Sequence, residues 1–406
     1  MKFWLVRLGS IVLAILACLL LQEIVTAPGF NEYTRRLIVL AGLYVTLSVS
    51  LNLINGITGQ FSIGHAAFYQ VGAYVAGYLT VTYYGDAGPT GLPWLLMMLG
   101  VGAAGAAIAG LVVGLPSLRL RGDYLAIVTL GFGEIIRIVV QNTEEVGGSY
   151  GLAVEPKFQA VWLIWLLAIL CIAVSRNLLK TAHGLPYLSV REDEVASSAM
   201  GVNVTKVKVS AFIIGSAFAG AAGSLLAHYE GFITPTTFGM DVSFIILTMV
   251  VLGGTGSITG SALAAVFLAY LPEYLRGLKG ADGAPLTMPS STVVAILLGI
   301  VVAVALMKRV MDHYHGAKIK KVGFYLATVL GGVVAMLILS FALGKIPALA
   351  QKSIEAANMR MVIFAVALIV LMLLRPQGVF GHHEFSWSWV KSLFTRKPVP
   401  HTAVSS

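Results

Sequence analysis

The stretch LIVLAGLYVTLSVSLNLIN at residues 37–55 decides the fold class, because it carries no charge over its whole length. A helix needs about 20 predominantly apolar residues to cross the hydrocarbon core of a membrane. Comparable segments recur near 3–22, 66–84, 93–115, 123–141, 159–175, 207–227, 241–254, 258–275, 291–307, 322–344 and 359–374. These about twelve continuous segments predict an all-α polytopic transmembrane helix bundle, since a membrane barrel would show shorter, alternating stretches. The shortest, 241–254, is a candidate for a re-entrant or broken segment because Gly253, Gly254 and Gly256 follow its apolar run.

The composition excludes most other classes of protein. The chain has 406 residues, of which 58% are hydrophobic and 11% are charged. Soluble domains carry about 25% charged residues, so cytosolic enzymes, disordered scaffolds and secreted disulfide proteins are excluded. Cys18 and Cys171 provide neither a disulfide framework nor metal-ligand spacing. The first apolar segment loosely resembles a lipoprotein signal around Cys18, but the leucines that follow it favour a retained anchor.

The charged residues orient the chain in the membrane. Lysine and arginine are concentrated in loops 116–122, 176–206 and 308–321 and in the tail after 374, whereas segment 142–158 has three glutamates and one lysine. If both termini are cytoplasmic, all four basic stretches face the cytoplasm, as the positive-inside rule requires. Arg35 and Arg36 are the exception to this rule, because the same orientation places them outside, just before the second apolar segment. The net charge of +9 is therefore a membrane signal, and nucleic-acid binding is the weaker interpretation.

Small residues inside the apolar segments indicate how the helices pack, whereas ionisable residues there indicate a candidate site or ion pair. The glycine- and alanine-rich runs 100–105 and 217–223 predict closely packed helices. Glu134 and Arg137, three apart on one helical face, form either a functional site or a mutually neutralising pair that fixes two helices. The histidines His65 and His228 are expected to be interfacial, and His313, His315, His382 and His383 lack the further ligands that a metal site needs.

The segment GLPYLSVREDEVASSAMGVN at 184–203 is the most unusual connection. Pro186, an acidic first turn and a stop at Gly201 predict an amphipathic cytoplasmic helix of about three turns. A helix this short is marginal alone and is expected to dock onto a partner; the alternative is a solvated charged loop. No Gly-x-x-x-x-Gly-Lys-Ser/Thr loop is present, so ATP hydrolysis, if it drives this protein, belongs to another subunit.

A series of sequence blocks resembles the LivM-type permease subunits of bacterial branched-chain amino acid ABC transporters. The blocks are LNLING (51–56), GQFSIGHAAF (59–68), GAY (72–74), GDYLAIVTLGFGEIIR (122–137), GGS (147–149), REDE (191–194) with AMG (199–201), HY (228–229), GFI (231–233), VLGGTGSITG (251–260) and LRPQG (374–378). Their joint order is specific, although each block alone is weak. They cover nearly all of residues 37–276 and the last apolar segment.

The resemblance implies a permease in the bacterial inner membrane that works with other subunits. These are a homologous second permease, two cytoplasmic ATPases that bind the ATP, and a periplasmic amino-acid-binding protein; no cofactor is expected in this chain. The resemblance also implies that segment 184–203 contacts an ATPase, through Arg191, Glu192, Asp193, Glu194, Ala196, Ala199 and Gly201. These residues only approximate the Glu-Ala-Ala…Gly pattern of importers.

The expected domain organisation is a transmembrane permease domain at 1–374 and a cytoplasmic tail at 375–406. Residues 277–355 depart from the family pattern as an insertion with two extra apolar segments. The expected function is import of branched-chain amino acids. The alternatives are import of urea or short amides and, in a different class, a secondary carrier or channel, which would need its own coupling-ion site.

The translocation pathway is expected at the interface with the partner permease. Irregular backbone at membrane depth is tolerated where it meets protein or a water-filled cavity. The candidate lining residues are Gly59, Ser62, Gly64, His65, Gly253, Gly254, Gly256 and Ser257. The same glycines could equally serve only to permit tight turns.

Overall fold

The computed structural model describes residues 2–84, 91–117, 122–277 and 287–296, with short pieces at 298–299, 336–341, 345 and 353–355. This part of the chain is mostly α-helical. Its main helices are α1 (Lys2–Thr26), α2 (Glu32–Asn52), α3 (His65–Tyr83), α4 (Leu92–Ser117), α5 (Asp123–Asn142), α6 (Val161–Lys180), α7 (Leu185–Glu192), α8 (Glu194–Ala199), α9 (Val204–Glu230), α10 (Met240–Gly253) and α11 (Ile258–Gly277). Two short antiparallel pairs join β1 (Leu152–Ala153) to β2 (Phe232–Ile233) and β3 (Thr287–Pro289) to β4 (Ser353–Glu355).

The helices confirm a multi-pass membrane protein. Six stretches of the described chain are long and apolar enough to cross a membrane: Glu32–Ile57, Leu92–Leu115, Tyr124–Asn142, Val161–Lys180, Val204–Glu230 and Pro235–Gly253. The predicted total of about twelve remains a prediction. Segments 359–374 and most of 291–307 and 322–344 lie outside the described residues, as do the 375–406 tail and most of the 277–355 insertion.

Helix α9 lies at the centre of the bundle because its small residues let α3 and α4 approach closely. A Cβ atom added to Gly72 of α3 would overlap the backbone of Gly220 in α9, and one added to Gly220 would overlap the backbone of Gly102 in α4. Helix association in lipid depends on this kind of van der Waals contact. The close packing predicted for runs 100–105 and 217–223 is therefore confirmed.

The two ends of α9 mark the two ends of the bundle. Where α9 ends, β1 pairs with β2, and the N–H of Phe158 donates to the carbonyl of His228 at 2.9 Å. We call this the sheet end. Where α9 begins, α7 and α8 pack against it, and we call this the short-helix end.

Helix α10 is the shortest of the apolar helices. It has 14 residues and ends at Gly253, and the next residue, Gly254, has a φ of +117° that is unfavourable for any residue with a side chain. At 1.5 Å per residue it spans about 21 Å, less than the hydrocarbon core of about 30 Å. A 3₁₀ helix at Pro235–Phe238 precedes it, which extends the apolar stretch to 19 residues. The helix is short and is followed by glycines, as the sequence indicated; that segment 241–254 is re-entrant or broken remains a prediction.

Candidate functional site

Residues 184–203 fold into two short helices at the short-helix end. Pro186 lies in the first turn of α7, as predicted. Asp193 then has extended backbone, and its Oδ1 accepts hydrogen bonds from the N–H groups of Val195 (2.8 Å) and Ala196 (3.1 Å). The prediction of a single helix of about three turns is wrong, because the Asp193 side chain caps a second helix instead of continuing the first.

The segment returns to α9 through a left-handed glycine. Gly201 has a φ of +87°, and its N–H donates to the carbonyl of Ser198 at 3.0 Å. This left-handed conformation, just after α8, is the one expected of a glycine that stops a helix, as the sequence predicted for Gly201. Asn203 then caps α9, because its Oδ1 accepts from the N–H of Lys206 at 3.0 Å.

Both short helices dock on the first turns of α9. The Tyr187 hydroxyl of α7 lies 2.7 Å from the Ser210 hydroxyl. Lys208 is buried, and its ammonium forms an ion pair with Glu194 of α8. A buried ammonium needs such a partner, because removing a charge from water is costly. The alternative of a solvated loop is therefore excluded.

The acidic run already has partners within the chain. Glu192 pairs with Arg191 at 2.6 Å, Asp193 caps α8, and Glu194 pairs with Lys208. Of the two acids that form ion pairs, Glu192 is the more exposed. Its side chain is 72% exposed, against 30% for that of Glu194.

The outward surface of α8 is small and largely apolar. Val195 is 65% exposed and Met200, just after the helix, is 85% exposed. Ala196 and Ala199 are exposed beside them. A groove of about 470 Å³ separates this helix from the start of α9. A second protein could reach these residues without disturbing the contacts with α9.

The first of two helix breaks follows α2. Residues Leu53–Ile57 form a π-helical turn, and α3 begins only at His65. Asn55 closes the intervening loop, since its Nδ2 donates to the carbonyl of Ser62 (2.9 Å) and its Oδ1 accepts from the Ser62 N–H (3.1 Å). We call residues 53–64 the first break.

The second break, residues 254–257 between α10 and α11, lies against the first. Asn52 joins them: its Oδ1 accepts from the N–H of Gly256 (2.8 Å), and its Nδ2 donates to the carbonyl of Ser257 (3.0 Å). A Cβ atom on Gly56 would overlap both the Asn52 amide and the Gly256 backbone. Sequence reasoning did not select Asn52, although an asparagine within an apolar helix is a signal that could have identified it.

The first break also contacts α7. Gly59 has a φ of +71°, and a Cβ atom built on it would lie 3.2 Å from Cγ of Arg191. The neighbouring Gln60 donates from Nε2 to the carbonyl of Lys208 at 3.4 Å. The short helices, the first break and the second break therefore form one continuous set of contacts.

Most of the residues predicted to line the pathway are buried within the helix bundle. Gly59 is exposed and Gly256 is half-buried, whereas Ser62, Gly64, His65, Gly253, Gly254 and Ser257 are buried. Gly64 lies directly against the backbone of Thr129 in α5. Within the described part of the chain, neither Ser62 Oγ nor His65 Nδ1 has a hydrogen-bond partner.

The prediction that His65 and His228 are interfacial is wrong. Both are fully buried. His65 Nε2 lies 2.8 Å from the Ser50 hydroxyl, and His228 Nε2 lies 2.8 Å from the Thr80 hydroxyl. Each histidine is buried against neighbouring elements: His65 against Ser50 of α2, and His228 against Thr80 of α3 and the ring of Phe158. Among the described residues, no group of three or more His, Cys, Asp or Glu could hold a metal ion.

Glu134 and Arg137 pair on α5. Arg137 Nε and Nη2 lie 2.8 and 2.6 Å from Glu134 Oε2, and the side chains are 26% and 20% exposed respectively. Both residues belong to one helix, so this contact does not itself join two helices. Around them α5 leaves an apolar face uncovered, with Ile135 56% and Val139 57% exposed.

Comparison with known proteins assigns this arrangement of helices to a family. The family model for the permease component of branched-chain amino acid transport systems matches residues 33–306. The chain belongs to this family. The match includes both helix breaks and segment 184–203, so the branched-chain permease family shares the region in which the contacts converge.

Individual relatives carry the same description. The chain is 36% identical to the high-affinity branched-chain amino acid transport permease LivM of Escherichia coli, over 58% of this chain and 61% of that protein. It is 30% identical to a probable LivM of Methanocaldococcus jannaschii, over 60% of this chain and 83% of that one. It is also 26% identical to E. coli LivH, over 57% of this chain and 81% of that one. The chain thus spans 61% of the length of E. coli LivM. No solved structure matches it.

Proposed function

We propose that this protein is a permease subunit of an ATP-driven importer that carries branched-chain amino acids across the bacterial inner membrane. The observation that carries the proposal is the family match over residues 33–306, which spans the helix breaks and the short helices. The resemblance to LivM of E. coli supports the cargo class.

The proposed complex has four further subunits. A homologous second permease is supported by the similarity of the chain to LivH as well as LivM. Two cytoplasmic ATPases are needed because the chain has no phosphate-binding loop of its own. A periplasmic binding protein would deliver the cargo. In the proposed orientation, the short-helix end faces the cytoplasm and the sheet end faces the periplasm, as the basic loops indicate.

The short helices are proposed to be the contact with an ATPase. Their exposed residues Glu192, Val195 and Met200 are accessible, and their inner sides are fixed to α9. A displacement of α7 would press on Gly59 and hence on the first break. Asn52 would pass the displacement to the second break. Two irregular loops in contact are easier to rearrange than two continuous helices, so we place the moving part of the pathway here.

Uptake by cells that contain the natural partners tests the proposal. Deleting the gene should abolish uptake of labelled leucine, isoleucine and valine, and restoring it should recover uptake. Depleting ATP should stop this uptake, whereas a protonophore that leaves ATP intact should not. Loss of urea uptake with unchanged leucine uptake would favour the short-amide alternative. Uptake that follows the proton gradient instead of ATP would favour a secondary carrier.

A further inference from the structure

A small cavity opens at the sheet end of the bundle, and the residues that line it belong to neither helix break. It has a volume of about 120 Å³ and lies between α2, α3, α9 and the start of α10. One water needs about 10–15 Å³ of such space. The cavity is therefore large enough for a small organic molecule, and too small for a whole phospholipid.

Two opposite charges lie side by side in its wall. Arg36 Nε donates to Oε1 of Glu230 at 2.8 Å. This contact uses one of the five N–H donors of the guanidinium. The two side chains are 58% and 25% exposed, so the pair is accessible to a ligand. Arginine is the residue best suited to a carboxylate, and a carboxylate attracts an ammonium group.

The rest of the wall is mainly apolar. Leu40, Leu226 and Val242 line the cavity from three different helices. Tyr69 lies beside them and is 4% exposed, with its ring held edge-on to Phe238 at 5.1 Å between centroids. A mainly apolar wall with a few convergent polar groups is the usual form of a small-molecule site.

We propose that this cavity binds a zwitterionic α-amino acid with a branched apolar side chain. The carboxylate of the ligand would bind Arg36, its ammonium would bind Glu230, and its side chain would lie among Leu40, Leu226 and Val242. The ammonium nitrogen of an α-amino acid is two bonds from its carboxylate carbon, so its two charged groups can face two protein charges that are in direct contact. The inference rests on the proposed function for the cargo class, and it adds an entry site at the periplasmic end of the permease.

Thermal unfolding of the purified full-length chain tests the site directly. The protein is placed in nanodiscs of phosphatidylcholine and phosphatidylglycerol, and L-leucine is titrated, since a ligand of the folded state raises its stability. We expect the unfolding temperature to rise with leucine. Arg36→Gln and Glu230→Gln should each raise the half-saturating concentration by roughly tenfold or more, because each removes a charged hydrogen bond.

Matched controls separate binding from folding. Arg35→Gln removes the neighbouring arginine, which donates to the carbonyl of Val25 outside the cavity, and it should retain the wild-type response. Isopentylamine and 4-methylpentanoate, each lacking one charge of leucine, should give no shift. The Arg36–Glu230 pair is exposed enough that breaking it should leave the ligand-free unfolding temperature nearly unchanged.

Three results would overturn the site. They are no shift of the wild type with leucine, an unchanged half-saturation in Arg36→Gln, and an Arg36-dependent shift caused by added phosphatidylethanolamine in place of leucine. The last would assign the charge pair to a lipid headgroup. Normal cellular import of leucine with any of these results would leave the proposed function standing. Conversely, Arg36-dependent leucine binding without cellular import would support the site and contradict the proposed function.

Discussion

Asn52 connects the two helix breaks through a single buried side chain. We expect Asn52→Leu to leave the Gly256 N–H without its present partner inside the bundle, whereas the Ser257 carbonyl loses one donor and keeps the N–H and hydroxyl of Ser261. A hydrogen bond of this kind contributes about 0.5–1.5 kcal/mol, and a buried N–H left unpaired costs about 1–3 kcal/mol. Thermal unfolding in detergent should show the loss of stability, and leucine uptake should fall with it.

Asn142→Leu is the matched control for Asn52→Leu. Asn142 lies at the exposed end of α5, and its side chain donates to the carbonyl of Ile138 on its own helix at 2.8 Å. Its replacement should change stability by about 0.5 kcal/mol or less. Equal losses of stability in the two variants would show that the hydrogen bonds between the breaks contribute no more to stability than an exposed hydrogen bond within one helix.

Glu134 and Arg137 make a second prediction for single residues. Glu134→Gln or Arg137→Gln leaves one charge unpaired on a helix that crosses the membrane, which costs about 3 kcal/mol near the bilayer centre. Each single variant should lower the yield of folded protein in membranes, and the double replacement should recover part of that yield. Glu144→Gln, at an exposed turn beyond α5, is the control. Wild-type yields from both single variants would contradict the importance of the pair.

The short helices α7 and α8 carry a prediction about the coupling of subunits. Reversing Asp193 or Glu194 would damage the segment itself, because one caps α8 and the other pairs with buried Lys208. Glu192→Lys changes a 72% exposed side chain and breaks its ion pair with Arg191, a loss that is small for a pair this accessible to water. It should leave insertion and stability unchanged, and it should reduce co-purification of the ATPase and cargo-stimulated ATP hydrolysis.

Glu145→Lys is the control for Glu192→Lys. It makes the same charge change at an exposed position in the α5–α6 connection, away from the short-helix end. Co-purification of the ATPase should remain at the wild-type level in this variant. If Glu192→Lys also assembles and couples normally, the contact with the ATPase does not use this residue.

The whole molecule has a predicted orientation in the membrane. Ser198→Cys in α8 places an exposed thiol at the short-helix end, which is proposed to be cytoplasmic. Ser149→Cys places one in the connection between α5 and α6, which is proposed to be periplasmic. The native Cys18 and Cys171 are buried, which keeps background labelling low. A membrane-impermeant maleimide should label Ser149→Cys in intact cells, and Ser198→Cys only after the membrane is broken. The opposite pattern would invert the proposed topology.

Much of the fold could be predicted from single segments because the membrane imposes a local requirement. Each spanning helix must be long and apolar regardless of its neighbours, so residues 37–55 and the comparable segments identify themselves. Gly201 was predictable for a similar reason, since a left-handed turn after a short helix depends on local backbone geometry. The division at Asp193 was missed although aspartate favours helix caps over helix interiors, because an acidic residue also suits the first turn of one longer helix.

The sequence by itself determined the membrane class, the helical architecture and the closely packed small-residue faces, since these follow from hydropathy and residue size along the chain. Only the tertiary structure decided which distant residues meet. Asn52 and Gly256, Gly59 and Arg191, and Arg36 and Glu230 are pairs far apart in sequence. No periodicity encodes these pairs, because each depends on how whole helices cross and how the connecting loops fold back. His65 and His228 are buried for the same reason: their exposure is set by chain segments that pack over them, and local sequence does not specify that packing.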